Sequence, residues 1–189
     1  MSIWVTSDEH FGHVNSKGGG ILQFCQRPFD SIWDMERHLS NKIKAMVKPE
    51  DTCWHLGDFG FGGNAFMLHM RSIVESWPGT HLVIRGNHDR KHSRLMKMGF
   101  AASMDYVEII HCGLRIAMTH RPRYEKPEGV DIVLHGHVHK ATYQGLIDGN
   151  EQPIIPKWNV NMCVDVTDFA PQTMEYAIRR WRKQQNVKT

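Results

Sequence analysis

Short apolar runs recur along the chain, and the first three each end in a turn rich in polar side chains. Ile3-Trp4-Val5-Thr6-Ser7, Thr52-Cys53-Trp54-His55-Leu56 and His81-Leu82-Val83-Ile84-Arg85 are apolar and partly β-branched, the pattern of buried strands. Glycine-rich Lys17-Gly18-Gly19-Gly20 opens a loop, and a short helix is predicted over Ile21 to Cys25, halted by Arg27-Pro28. Ile32, Met35, Leu39, Ile43 and Met46 then recur three or four residues apart, which makes one apolar helical stripe. Asp30 or Ser31 can cap its start, and Pro49 follows its end. Ala65 to Ser76 reads as a helix ended by Pro78-Gly79, and Lys91 to Met98 as a short helix closed by Gly99. Past that point the alternation stops. Tyr106 to Ile110, Leu114 to Met118 and Ile132 to Leu134 read as strands in quick succession, Val160 to Val166 as another, and Thr173 to Gln184 as a helix. An alternating first half and a strand-rich second half suggest an α/β sandwich of two sheets with helices outside. No linker, repeat or low-complexity segment interrupts it, so one domain is expected over residues 1–189.

Composition narrows this reading. A length of 189 residues suffices for a real core, and the formal net charge of +3 is too small to argue for nucleic acid by itself. The 4 cysteines (Cys25, Cys53, Cys112, Cys163) form no Cys-x-x-Cys pair, which disfavours a zinc knuckle. Cys53 and Cys163 sit in strand-like runs and read as buried thiols, so a reduced, cytoplasmic setting is expected. Asp8 comes too soon after Met1 for a signal-peptide apolar region, and no stretch approaches the roughly 20 apolar residues needed to cross a membrane. Histidine is the outlier, at 13 residues.

Five of those histidines fall in five short motifs. In chain order these are Asp8-Glu9-His10, Gly57-Asp58, Gly86-Asn87-His88-Asp89, Thr119-His120 and Gly136-His137-Val138-His139, and each follows a strand-like run. Alternate side chains of an extended segment point the same way, so Asp8 with His10, and His137 with His139, can each reach one ion. Loops at the strand ends of an open α/β sheet gather in one crevice, which allows all five motifs to converge. Asp8, His10, Asp58, Asn87, His120, His137 and His139 make a mixed set of two carboxylates, one amide oxygen and four imidazoles, with no thiolate. Such a set suits hard or borderline divalent ions. A carboxylate can bridge two ions, and Asp58 is the natural candidate. Burying so many charges without metal would be very costly.

This order of motifs resembles the calcineurin-like metallophosphoesterases, over residues 8 to 139; the stretch from Asp8 to Asn15 looks like their small, cap-less bacterial and phage members. The resemblance implies a four-layer α/β/β/α sandwich of two mixed sheets flanked by helices. It implies two divalent ions, Mn(II) foremost, with Fe, Zn or Ni as alternatives. Asp8, His10, Asp58 and His139 would hold the first ion. Asp58, Asn87, His120 and His137 would hold the second, with Asp58 shared. His88 would protonate the leaving oxygen after attack by a metal-bridging hydroxide, and Asp89 would orient its ring. His13, Asn15 and Arg121 are candidates for phosphate contact, with Arg90 and Arg123 beside them. His55 and His135 read as packing partners behind the site, and the Phe59-to-Gly63 segment as a flexible loop. The basic end of the last helix, Arg179 to Lys183, reads as a solvated face.

The substrate expected is a phosphate ester, most directly a nucleotide-type diester, because no cap is evident. A phosphomonoesterase or a nuclease would use the same centre, and a non-catalytic scaffold would have lost a ligand or His88. Nucleic acid stays open as a partner; a membrane does not.

Overall fold

The structure is a computed structural model, and it describes residues 1–14, 20–139, 146–147, 150–151 and 155–186. In chain order its elements are β1 (Ile3–Thr6), α1 (Ile21–Phe24), α2 (Ile32–Met46), β2 (Thr52–His55), α3 (Asn64–Val74), β3 (Thr80–Ile84), α4 (His92–Lys97) and β4 (Ala102–Met104). There follow β5 (Tyr106–His111), β6 (Leu114–Thr119), β7 (Ile132–His135), β8 (Leu146–Ile147), β9 (Asn150–Glu151), β10 (Asn159–Asn161), β11 (Gln172–Thr173) and α5 (Met174–Asn186).

One sheet has the order β11-β1-β2-β3-β4, with β11 antiparallel to β1 and the other pairs parallel. The second has the order β10-β7-β6-β5, with only β5 antiparallel. A small β8-β9 ribbon stands apart. The chain is thus two mixed sheets flanked by helices.

Period-2 alternation sorts the side chains between layers. Cys53 and Val83 join Met35, Leu39, Ile43, Met70 and Val74 in a core between the first sheet and helices α2 and α3. Their strand neighbours Trp54 and Ile84 face the other way, into a core with Ile116, Met118, Ile132 and Leu134 of the second sheet. Met174, Ala177 and Ile178 of α5 close that inter-sheet core. Ala117 and Val133, one residue out of phase, turn to the far face.

The predicted helix at Ile32 is capped by Ser31, whose Oγ accepts from Asp34 N at 3.1 Å. One expectation changes. The strand predicted over Val160 to Val166 ends at Asn161, because Asn161 Oδ1 accepts from Cys163 N (2.9 Å) and Val164 to Val166 turn as a 3₁₀ helix. The turn carries the Asp165 carboxylate inward, to buried Arg27 and to His139. Strands β4 and β11 had no clear sequence signal: both are short edge strands whose partners decide them.

Candidate metal centre

The motif loops leave β1, β2, β3, β6 and β7 at neighbouring strand ends. Asp8 N donates to Gly57 O (3.0 Å), His10 N to Asp58 O (3.1 Å) and Gly136 N to His120 O (3.0 Å), which stitches the loops together. Their backbones are unusual. Asp8 (φ 59°), His10 (φ 55°), Asp58 (φ 54°), His137 (φ 71°) and His139 (φ 25°) are all left-handed. Each such non-glycine residue costs about 1–3 kcal/mol, and such strain clusters where function demands a geometry. Two glycines are dictated by space. A Cβ on Gly86 would collide with the Asp58 carboxylate, and one on Gly136 with the Ser7 hydroxyl and the Asp8 carboxylate.

The seven side chains converge. Asp58 Oδ2 lies 3.2 Å from His120 Nε2 and 3.9 Å from His10 Nε2, and Asn87 Oδ1 lies 3.0 Å from His120 Nε2. His10 Nε2 is also 3.9 Å from Asp8 Oδ1. Asp58, His120 and His137 offer ligand atoms all within 4.8 Å of one another. The backbone N of His137 donates to both Asp8 oxygens (3.1 and 2.9 Å), and Ser7 Oγ donates to Asp8 Oδ2 (2.7 Å).

One atom tests the fit of a cation. His10 Nε2 is buried and has no hydrogen-bond partner among the described residues. It faces two carboxylates at 3.9 Å, too far for a hydrogen bond. Two ligand bonds of about 2.1 Å hold their atoms about 3.0 Å apart at right angles and about 4.2 Å apart when opposed, so the gap fits one ion. The imidazoles are also poised for it. His120 Nδ1 donates to Leu56 O (2.8 Å), a carbonyl that can only accept, which directs Nε2 toward Asp58 and Asn87.

The electrostatics reflect crowding. Burial raises the Asp58 carboxyl, but the hydrogen bond and charge of His120, with help from His88 N–H, outweigh it and hold it low. Burial likewise opposes charge on His120, and Asp58 and Asp8 outweigh it to raise that ring. Asp8 is raised by burial, against the pull of His120 and His139. His10 is driven down by burial and by the neighbouring His139 and Arg27, and His137 falls to about 4 through burial, His120 and Arg121.

Other expected residues fall in different places. His88 is exposed; its backbone N donates to Asp58 Oδ1 (2.8 Å), and its ring Nε2 lies 4.0 Å from Asp58 Oδ2. Asp89 does not orient that ring. Its buried carboxylate accepts from the backbone N–H of Asp58 (2.8 Å), Phe59 (3.1 Å) and Gly86 (2.8 Å), so it braces the loops instead. His13 sits beside the centre, Nδ1 to Nδ1 with His10 at 3.0 Å. Arg121 is exposed, near enough to His137 to depress it. Arg123 covers the Tyr106 ring, 5.6 Å from its centroid. Asn15 lies outside the described residues. The Phe59-to-Gly63 segment is packed rather than loose: Phe59 is fully buried, and Phe61 stacks on His13 (4.0 Å) and His10 (5.2 Å).

Sequence reasoning missed the supports behind the ligands. Asp165 Oδ2 lies 3.0 Å from His139 Nδ1, and buried Arg27 donates to both Asp165 oxygens (3.0 and 2.7 Å) and to the carbonyls of Asp8 (2.7 Å) and Glu9 (3.1 Å). Cys163 donates its thiol to the same Asp165 oxygen (3.0 Å), and burial holds it protonated. Buried Glu9 pairs with His55 Nδ1, and His55 Nε2 meets His81 Nδ1 at 3.0 Å. The available signal was a charged residue inside an apolar run, Val164-Asp165-Val166.

Two mixed sheets flanked by helices, with Asp, Asn and His side chains gathered at the strand ends, make a metallophosphoesterase fold. The model of the calcineurin-like phosphoesterase superfamily domain matches residues 1–150, and the chain belongs to that superfamily. It is similar to an uncharacterised protein of Methanocaldococcus jannaschii, 27% identical over 190 residues, 99% of this chain and 95% of that one. The gene 66 protein of Mycobacterium phage L5 is 30% identical over 91 residues, 48% of this chain and 41% of the phage protein. Among solved structures, a protein of unknown function from Aquifex aeolicus superposes with a TM-score of 0.73 at 26% identity, over 94% of this chain and 98% of that one. No helix among the described residues is long and apolar enough to cross a membrane.

Proposed function

We propose that this protein, a single domain, is a dinuclear metal-dependent phosphoesterase acting on phosphodiesters. The orphaned, buried His10 Nε2 between the Asp8 and Asp58 carboxylates carries this reading. Asp8, His10, Asp58 and His139 would hold one ion and Asp58, Asn87, His120 and His137 the other, with Asp58 between them. Bound there, two divalent cations neutralise phosphoryl oxygens and lower the pKa of a water to supply the nucleophile.

The chain's own groups do the rest. The bond from His88 N to Asp58 Oδ1 ties the His88 backbone to the shared carboxylate, and the exposed ring lies with Nε2 4.0 Å from Asp58 Oδ2. From there its ring protonates the departing oxygen, help worth about 10²–10⁴-fold. His13 and Arg121 flank the opening as phosphate contacts. Asn87 and His88 are exposed, which leaves room for the second ester group of a diester. The oxygen and nitrogen ligands, with Cys163 kept as a thiol, suit Mn(II), Fe, Zn or Ni rather than a soft ion, and Mn(II) is the ion proposed.

The test is hydrolysis of bis-p-nitrophenyl phosphate by metal-stripped protein titrated with Mn(II), beside p-nitrophenyl phosphate. Metal-dependent cleavage of the diester is expected. Cleavage of the monoester alone would replace the diesterase by a phosphatase. Bound metal with neither activity would leave a scaffold.

A further inference from the structure

Resting on that reading, we propose that the site has an anion subsite beside His88, formed by Arg90 and Arg94, and that the substrate's leaving group carries a second phosphate. A cavity opens between the Gly60-Phe61-Gly62 turn and α4, and His88, Arg90 and Arg94 line it. His88 thus borders this cavity and also, with its Nε2 4.0 Å from Asp58 Oδ2, the candidate metal centre. If His88 protonates the leaving oxygen, whatever is attached to that oxygen extends into this cavity.

The charge there is one-sided. Between Arg85 and Lys97 the chain carries Arg85, Arg90, Lys91, Arg94 and Lys97 against a single acid, Asp89. Asp89 also lines the cavity, but it is buried, its oxygens are taken up by three backbone N–H groups, and the two arginines outnumber it. Arg85 is tied to Asp105 (2.8 Å). Arg94 is held in place, because its Nη2 donates to Gly62 O and to Gly63 O (3.1 Å); that leaves Nε and Nη1 of a fixed guanidinium for a ligand. Arg90 is exposed, and its guanidinium has no hydrogen-bond or ion-pair partner among the described residues. Two cationic forks with spare donors on one cavity suit a phosphate, which accepts bidentate bonds from arginine. Gly60 and Gly62 also line the cavity and add no side chains to it.

The probe is thymidine 3′,5′-bisphosphate, compared by titration calorimetry with the 3′- and 5′-monophosphates on the Mn(II)-loaded full chain. One added phosphate held by charged donors is expected to tighten binding on the order of 10-fold or more over the better monophosphate. Arg90→Ala and Arg94→Ala should each pull that ratio toward one. Arg94→Ala also frees the Gly62 and Gly63 carbonyls, so Arg90→Ala is the cleaner variant. Equal affinity for bisphosphate and monophosphates, or a ratio that survives both substitutions, overturns the subsite. So does a preference for a ten-residue oligothymidylate with steep salt dependence and none for the bisphosphate, which would assign the basic edge to nucleic acid. Binding is read without turnover, so an inactive enzyme that keeps the ratio would defeat only the diesterase reading, and an active one with a ratio of one only the subsite.

Discussion

Replacing Asp165 by asparagine removes the one negative charge on which Arg27 and His139 converge. The side chains of Arg27 and Asp165 are 0% and 3% exposed, so solvent cannot take over the lost partner. Asparagine keeps the shape and one acceptor oxygen but turns an amide N–H₂ toward a donor. Breaking a buried pair from one side costs about 3–5 kcal/mol. Arg27 retains the Asp8 and Glu9 carbonyls, which points to the lower end, about 3 kcal/mol. At about 2–4 °C per kcal/mol for a chain of this size, Tm should fall roughly 6–12 °C. The same change unlocks the His139 ring, and loss of such a support lowers metal affinity about 10–100-fold.

The pH dependence of the metal-free protein gives a further handle on the same contact. Burial works against charge on His139, but the Asp165 hydrogen bond outweighs it and lifts the ring to about 10. That is above the roughly 6.5 of a free imidazole, so the stabilisation is complete below about pH 6.5 and fades as pH rises toward 10. Burial raises Asp165, but its bonds from His139 and Arg27 outweigh that and hold it at about 2. Against roughly 3.9 for a free aspartate, its contribution is present above about pH 4 and lost as pH falls toward 2. The Asp165–His139 contact should therefore contribute most between about pH 4 and pH 6.5, and the Tm difference between the native chain and D165N should be largest there. Thermal scans from pH 3 to 10 and a Mn(II) titration check both. Unchanged Tm together with unchanged Mn(II) affinity would refute the reasoning.

His88→Asn should retain two metal ions per chain and lose about 10²–10⁴-fold in kcat on alkyl diesters, with a smaller loss on nitrophenyl esters, whose leaving groups need little protonation; equal losses on both would remove His88 from acid catalysis. Gly86→Ala drives a methyl into the Asp58 carboxylate and backbone N, so metal content measured by emission spectroscopy should fall below that of the native chain and stability by about 1–3 kcal/mol. Chelation should lower Tm, and Mn(II) restored at 100 times its Kd should return about 2.7 kcal/mol; a Tm indifferent to chelator would deny the ions a structural role.

Much of the fold was legible from periodicity. The helical stripe from Ile32 to Met46 and the runs at Thr52, His81, Leu114 and Ile132 each became an element within a residue or two. They succeed because their burial is set by their own alternation, whichever partner arrives. Val160 to Val166 misled because its apolar residues remain buried, as Val160 and Val164 are, while the backbone turns to bring Asp165 inward. The Phe59-to-Gly63 segment read as a loop, since a glycine-rich pattern cannot announce that Phe61 will stack on two histidines.

The seven candidate ligands and His88 were proposed from side-chain type and short spacing within motifs that each follow a strand-like run, although Asp8, His10, His137 and His139 adopt left-handed rather than extended backbone. Their supports were not. Arg27 and Asp165 are 138 residues apart, and Glu9 and His55 are 46 apart, so neither pair leaves any periodic trace. The role of Asp89 shows the same division. The family resemblance implied a ring contact with His88, whereas the packing of the loops offered its carboxylate three backbone donors and took it there. Side-chain type and short spacing, written in the chain, decide which atoms could bind a cation. Where each atom points, and what holds it there, is decided by long-range packing, because a buried polar group takes whichever partner the assembled sheets put within hydrogen-bonding distance.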